Sequence, residues 1–338
     1  MSSALDTAFT RHFNIRYPLA QAGMAFAGWS PPLAIAVSAA GGIGTIGAGL
    51  LPPDVVRQMI AALKGANAGP FNINFLTNFD HDEQVRICAE EKVPSVSFHW
   101  GHPSAKNIKV LKDAGVSVWV QVGRVEDAKR AAGDGADVVI AQGHEAGGHN
   151  YQGMGTMALV PAVRDAIGND TLLLASGGIA DGRGVAAALM LGADGVWVGT
   201  RFVATPESGV HDEHRRRLVE ASGDDTVFSS IFGPDNPSFN PMRVVRNRVV
   251  NEWNDRLSEI PQDLSDQPEI GSTVLGGETM TMRKFNVLLP TPDTEADWEE
   301  MPFLSGQGVG LINEIHPAGE VVEQMMTQAS EVLATAGK

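Results

Sequence analysis

Eight short apolar runs, separated by segments of helix-forming sequence, leave this chain few folds to choose from. In order they are IRYPLAQA (15–22), GGIGTIGA (41–48), FNINFLT (71–77), PSVSFHW (94–100), VSVWVQVG (116–123), ADVVIAQG (136–143), TLLLASGG (171–178) and DGVWVGT (194–200). Most are continuous in β-branched and aliphatic residues without strict alternation, the pattern of strands covered on both faces in a parallel sheet. The stretches between them read as helices. SPPLAIAVSAA opens on a serine cap with prolines in its first turn, and a second helix runs from Pro52 to Lys64. Several end in AG, DG or LG, the glycine stops of helix C-termini. Eight such units in succession favour an α/β chain folded as a closed (β/α)8 TIM barrel over an open doubly wound sheet.

After Pro206 the rhythm stops. Residues 223–300 are polar and proline-dotted, with a Gly-Gly pair at 276–277 and the acidic PTPDTEADWEEMP near the end. They read as an inserted, mostly loop and helical segment between strand eight and a final helix of roughly Ala318 to Ala334. The division expected is a barrel of residues 1–222 plus 316–338, with 223–315 as an inserted, lid-like segment.

Charge and cysteine usage exclude several classes of function. A formal charge of −15 and a pI near 5.0 repel phosphate backbones and anionic lipid headgroups, so neither nucleic acid nor membrane is an expected partner. HRRR (214–217) is the one basic cluster, and it reads as a solvated helix face. Cys88, the single cysteine, can form neither an internal disulfide nor a cysteine-based zinc cluster, and reads as buried packing. The uncharged run from Tyr17 to Pro53 is long enough to span a membrane, but Pro31-Pro32 and five glycines from 41 to 49 would break the helix. MSSALDTAFTRHF lacks an apolar signal core, so the expected location is cytoplasmic.

Two motifs need separating from chance. GIGTIG (42–47) satisfies the dinucleotide-binding string G-x-G-x-x-G, yet a helix precedes it, the string itself is the strand, and no acid occurs between Asp54 and Asp80. We therefore reject a Rossmann site. The ends of strands seven and eight, ASGGIADG (175–182) and VGTRF (198–202), lie where barrels bind phosphate. There Gly177, Gly178, Gly199 and Thr200, with the helix starting at Asp181, can turn backbone N–H groups onto a dianion of a substrate or cofactor.

The loop AQGHEAGGHN (141–150) follows strand six and overhangs the barrel mouth. Its H-E-x-x-x-H spacing is one residue longer than the zinc-protease motif, and Ala-Gly-Gly disfavours a helix, so no metal site is expected. His149, after two glycines, is placed to act as a base or a hydrogen-bond donor to an anion.

Taken together, YPLAQAGM (17–24), PFNIN (70–74), SFHWG (97–101), AQGHEAGGH (141–149), SGGIADGRG (176–184), VWVGTRFVATPES (196–208) and SGQGVGLI (305–312) resemble, in order, segments of the FMN-dependent nitronate monooxygenases. The resemblance implies FMN with its phosphate on Gly178, Gly199 and Thr200, beside Ser176 and Gly177. Ala22, Gly23 and Met24 would line the isoalloxazine ring. Asn74, Gln142 and Gly147 would contact the cofactor, and Trp197 and Val198 would complete the strand-eight side. His149 matches the family's active-site histidine. His99 would be a second polar contact, with Trp100 and Met24 as apolar walls and Ser305-Gly306-Gln307 as part of a roof. The activity implied is oxidation of an alkyl nitronate, and of nitroalkanes if neutral substrates are used, with O2 to a carbonyl compound and nitrite.

The E-A-G-G-H loop also occurs in FMN-dependent reductases that pass hydride from NADH to an enoyl thioester or a quinone, which is the alternative reading. His99 favours the monooxygenases, because a histidine in that segment is generally missing from the reductases. A flavin-free barrel for a phosphorylated metabolite is a further rival. Two departures stand out: Asn150-Tyr151-Gln152 replace the Arg-Gly that relatives commonly carry, which is expected to change the pocket rim, and Gln121 stands where some relatives have lysine near the flavin.

Overall fold

All eight apolar runs form strands, and those strands pair in parallel. The computed structural model describes residues 4–151, 153–235 and 240–336. The chain begins with α1 (Ala8–Phe13), β1 (Leu19–Gln21), α2 (Pro31–Ala39), β2 (Gly44–Gly47), α3 (Pro53–Ala66), β3 (Phe71–Leu76), α4 (Asp82–Glu90) and β4 (Ser95–His99). It continues through α5 (Ala105–Asp113), β5 (Ser117–Val122), α6 (Val125–Gly133), β6 (Val138–Gln142), β7 (Gly148–His149), α7 (Thr156–Ile167), β8 (Leu172–Ser176), α8 (Gly182–Met190) and β9 (Gly195–Val198). The sheet order is β1-β9-β8-β6-β5-β4-β3-β2. Ala20 pairs with Ile43 just before β2, and Ile43 N–H donates to Leu19 O at 2.9 Å, so the sheet closes on itself as the expected (β/α)8 barrel.

Pleating sorts the side chains into two layers. Ala20, Ile43, Trp119, Ile140, Leu174 and Trp197 fill the barrel, whereas Ile73, Val96, Val120, Val139, Val196 and Val198 face the helices. Phe9 and Phe13 of α1 pack their rings on Trp119, at 5.6 and 5.3 Å between centroids, and plug the N-terminal end. The glycine stops are real: Gly115, Gly135 and Gly192 follow α5, α6 and α8 with φ of +76°, +97° and +97°. β2 is glycine-rich for another reason. A Cβ on Gly44 would lie 2.0 Å from Ala34 O, so glycine lets α2 press onto the strand. Cys88 is buried in α4, as expected.

After β9 come α9 (Thr200–Val203), α10 (Asp212–Glu220), β10 (Thr226–Ser229), β11 (Met242–Val245), α11 (Arg248–Trp253), β12 (Glu269–Leu275), β13 (Glu278–Arg283), β14 (Glu295–Ala296) and α12 (Ala318–Ala336). The segment expected to be loops and small helices therefore also carries strands. β12 and β13 form a hairpin through Gly276 and Gly277, both at positive φ, and β14 adds to its edge. β10 and β11 form a second antiparallel sheet whose third strand is β7, from the loop after β6. HRRR is a solvated face only in part: Arg216 is exposed, whereas His214 is buried in α10 and Arg215 donates to the carbonyls of Ser208 and Val210. The buried part is closed because the segment after Asn286 folds over it. Among the described residues no helix is long and apolar enough to cross a membrane.

Candidate active site

The C-terminal ends of the barrel strands surround a deep cavity. Ala22, Gly23 and Met24, running out of β1, form one wall. Asn74 and His99 reach it from β3 and β4, Gln142 from β6, and Ser176, Gly177 and Gly178 from the turn after β8. Trp197 with Gly199 and Thr200 lines the β9 side, while Gly147 and His149 overhang from the loop after β6. Val198 does not join them. The pleat that turns Trp197 inward sends Val198 into the layer beneath the helices, and only its carbonyl, accepting from Ala22 N–H at 2.8 Å, serves this edge.

Two of the buried polar atoms here have no hydrogen-bond partner among the described residues. Gln142 donates through Nε2 to His149 O at 3.4 Å, but its Oε1 is buried and unpaired, as is His99 Nε2. Buried polar atoms of this kind call for a ligand or water. Asn74 is braced by Ser97 Oγ at 2.9 Å, and Gly23 makes room for it, since a Cβ there would fall 2.4 Å from the Asn74 side chain. Gly199 differs. A Cβ there would meet Ala22 Cβ and Met24 Sδ at 3.7 Å, ordinary contact, so the protein's own packing does not demand glycine and the space left open belongs to the cavity.

The polar members of the AQGHEAGGHN loop are held in different ways, and among the described residues no group of three or more His, Cys, Asp or Glu could hold a metal ion. Glu145 accepts from Thr156 N–H and Oγ1–H at 2.9–3.0 Å and so anchors the start of α7. His144 Nε2 accepts from Arg243 Nη2 at 2.9 Å, and burial, then Arg243, hold its pKa below the ordinary value. Asn150 Nδ2 donates to Ala146 O at 2.8 Å and closes the loop on itself. His149 is left over the cavity, its backbone paired with Met242 of β11. The roof is joined to the floor by Gly306 N–H, which donates to Thr200 Oγ1 at 3.0 Å, and by Gln307 N–H, which donates to Glu145 O at 2.9 Å. Among the described residues lining the cavity, none is Asp, Glu, Lys or Arg.

The family model described as nitronate monooxygenase matches residues 6–85 and 77–328. The chain belongs to the nitronate monooxygenase family. It is an oxidoreductase of that family. A probable nitronate monooxygenase of Staphylococcus saprophyticus is 30% identical, over 97% of this chain and 99% of that one. A (3aS,4S,5R,7aS)-5-hydroxy-7a-methyl-1-oxo-octahydro-1H-indene-4-carboxyl-CoA dehydrogenase of Mycobacterium tuberculosis is 31% identical over 98% of each. The solved structure of FabK from Thermotoga maritima is 35% identical, with a TM-score of 0.80 over 98% of each chain.

Three further features of this family member escaped the sequence reading. His214 lines the cavity from α10, with Nε2 on Leu304 O at 3.2 Å. Its signal was the i, i+4 pair with Leu218, both buried on one helix face. Phe26 and Trp29 stack at 4.2 Å in the loop after β1 and face the same cavity. Asn150 and Tyr151 do not form the rim: Asn150 is buried inside the loop and the Tyr151 hydroxyl lies beneath the Trp100 turn, while Gln152 lies outside the described residues.

The buried histidines make stability depend on pH. Burial, then repulsion from His149, lowers the His99 pKa to about 3 against a smaller upward pull from Gln121. Burial lowers His214 to about 4, despite the Leu304 carbonyl. Both groups bind protons more weakly folded than unfolded, so their contribution is complete above pH ~6.5 and shrinks as pH falls toward those values. The urea midpoint is expected to be flat from pH 8 to 7 and to fall below 6.5, more gently in His214→Gln. An identical decline in that variant would remove His214 from the account.

Proposed function

We propose that this chain oxidises alkyl nitronates with O2, using bound FMN, to a carbonyl compound and nitrite. The observation that carries the reading is the convergence of His149 and His99 on the same cavity that Gly178, Gly199 and Thr200 line. FMN supplies the electron-transfer chemistry. Backbone at Gly178, Gly199 and Thr200 would take its phosphate, and Ala22, Gly23 and Met24 would lie along the ring with Asn74, Gln142 and Gly147 at its edges. Gln142 Oε1 and His99 Nε2 are the unpaired atoms such a complex would satisfy.

The residues define a division of labour. His149 holds the nitronate oxygens and removes the α-proton when a neutral nitroalkane enters. His99 is neutral across the working pH range, so it contributes a hydrogen bond and no charge. The 223–315 segment acts as a lid, since Met242, Val287, Leu288, Leu289 and Leu304 complete the apolar wall and exclude water.

The second reading, reduction of a thioester or quinone by NADH, is favoured by the similarity to the CoA-ester dehydrogenase and to FabK. Against it stands the cavity lining, whose described residues hold no lysine or arginine for phosphates beyond the one that the backbone cradle would take from FMN. Anaerobic mixing separates the two. Purified protein is expected to be yellow and to bleach rapidly with propyl-2-nitronate. Bleaching by NADH with none by the nitronate would reverse the assignment.

A further inference from the structure

We propose that Tyr151, which does not line the cavity, is a positioning residue that fixes His99 in its working orientation. The proposal rests on the reading of the cavity as a nitronate site with His99 as a substrate contact. Its basis is a set of contacts around one hydroxyl. Tyr151 Oη accepts from Trp100 N–H at 2.9 Å and Gly101 N–H at 3.1 Å and donates to Gln121 O at 3.0 Å, which uses all its hydrogen-bonding capacity. Trp100 and Gly101 directly follow His99, and Gln121 stands beside the His99 ring from β5. One phenol therefore ties the backbone that carries His99 to the strand that flanks it.

The backbone held in this way is strained. Trp100 has φ +74°, a region that bulky residues rarely enter, and such conformations persist only where the surroundings over-determine them. The rings reinforce the hydroxyl. Tyr151 stacks on His99 at 5.4 Å and 15°, Trp100 stacks on it at 5.4 Å and 17°, and Trp100 meets His149 edge-on at 5.4 Å. The protein makes room for this arrangement at Gly123, where a Cβ would lie 2.1 Å from Tyr151 Cβ. Burial pushes the phenol up to about 12, so the donor to Gln121 O persists at any working pH.

The test is a double-mutant cycle on the FMN-loaded enzyme with Tyr151→Phe, which keeps the ring and removes all three hydrogen bonds, and His99→Ala. Tyr151→Phe is expected to lower kcat for propyl-2-nitronate about 10- to 100-fold, with the FMN dissociation constant unchanged within about twofold. In the His99→Ala background the same change is expected to do nothing further, because a residue acting through His99 has nothing left to position. NMR of the His99 ring gives a reading independent of turnover: its resonances are expected to move in Tyr151→Phe. If wild-type enzyme does not turn over nitronate, the functional reading fails while the ring spectra still decide the positioning role. Unmoved His99 resonances, an equal loss of kcat with and without His99, or loss of fold or FMN in Tyr151→Phe would each overturn the proposal.

Discussion

His149→Ala is expected to lower kcat for propyl-2-nitronate by about 10²–10⁴-fold, the range supplied by a positioned acid–base group. The fold should survive the change. The ladder to Met242 and the carbonyl that accepts from Gln142 are main chain, and alanine retains both. The imidazole, in contrast, faces the cavity. Oxygen uptake and nitrite release measure the loss, and running 2-nitropropane beside its nitronate divides it. If His149 both holds the anion and takes the α-proton, the neutral substrate suffers more; equal losses would leave only the binding role. Unchanged turnover of both would falsify the catalytic assignment.

Gly199→Ala is expected to weaken FMN binding about 5- to 150-fold, from about 1–3 kcal/mol of overpacking, while the apo-protein melts as the wild type does. The separation of the two effects follows from where the space lies. The first added carbon has ordinary contacts of 3.7 Å at a negative φ of −104°, so the protein's own packing leaves room for a methyl group here. The volume is taken instead from the cradle. Gly147 would not discriminate in this way, because a Cβ there would sit 2.4 Å from Gly306 N and disturb the loop itself. Fluorescence titration of FMN against thermal unfolding reads both quantities; wild-type affinity would show that no cofactor group lies against Gly199.

The barrel was legible because its information is local. Runs such as ADVVIAQG carry their strand in consecutive residues, and positive-φ glycines mark where the following helices stop. Much of the cavity lining followed from knowing which strand ends face one another. Val198 went astray although the cue was present, since strand pleating alone opposes it to Trp197. The Gly276-Gly277 pair was also a readable hairpin turn passed over as a loop. β7 is a different kind of miss: two residues, Gly148 and His149, have no periodicity to detect and become a strand only because Met242 and Arg243 lie against them. The roles of His144 and Tyr151 were hidden for the same reason, each being defined by a distant partner.

That dependence on distant partners has a consequence for biosynthesis. Neighbouring barrel strands are stitched by contacts such as Asn74 with Ser97, 23 residues apart, and can form as the chain emerges. The loop carrying His149 waits for Arg243, 99 residues beyond His144, and the Thr200 cradle waits for Gly306, 106 residues on. A chain still on the ribosome with all eight barrel strands made therefore has most of its scaffold but not the proposed reactive centre. Under the proposed function, turnover starts only when translation is nearly over, because a nascent barrel has no assembled site with which to react.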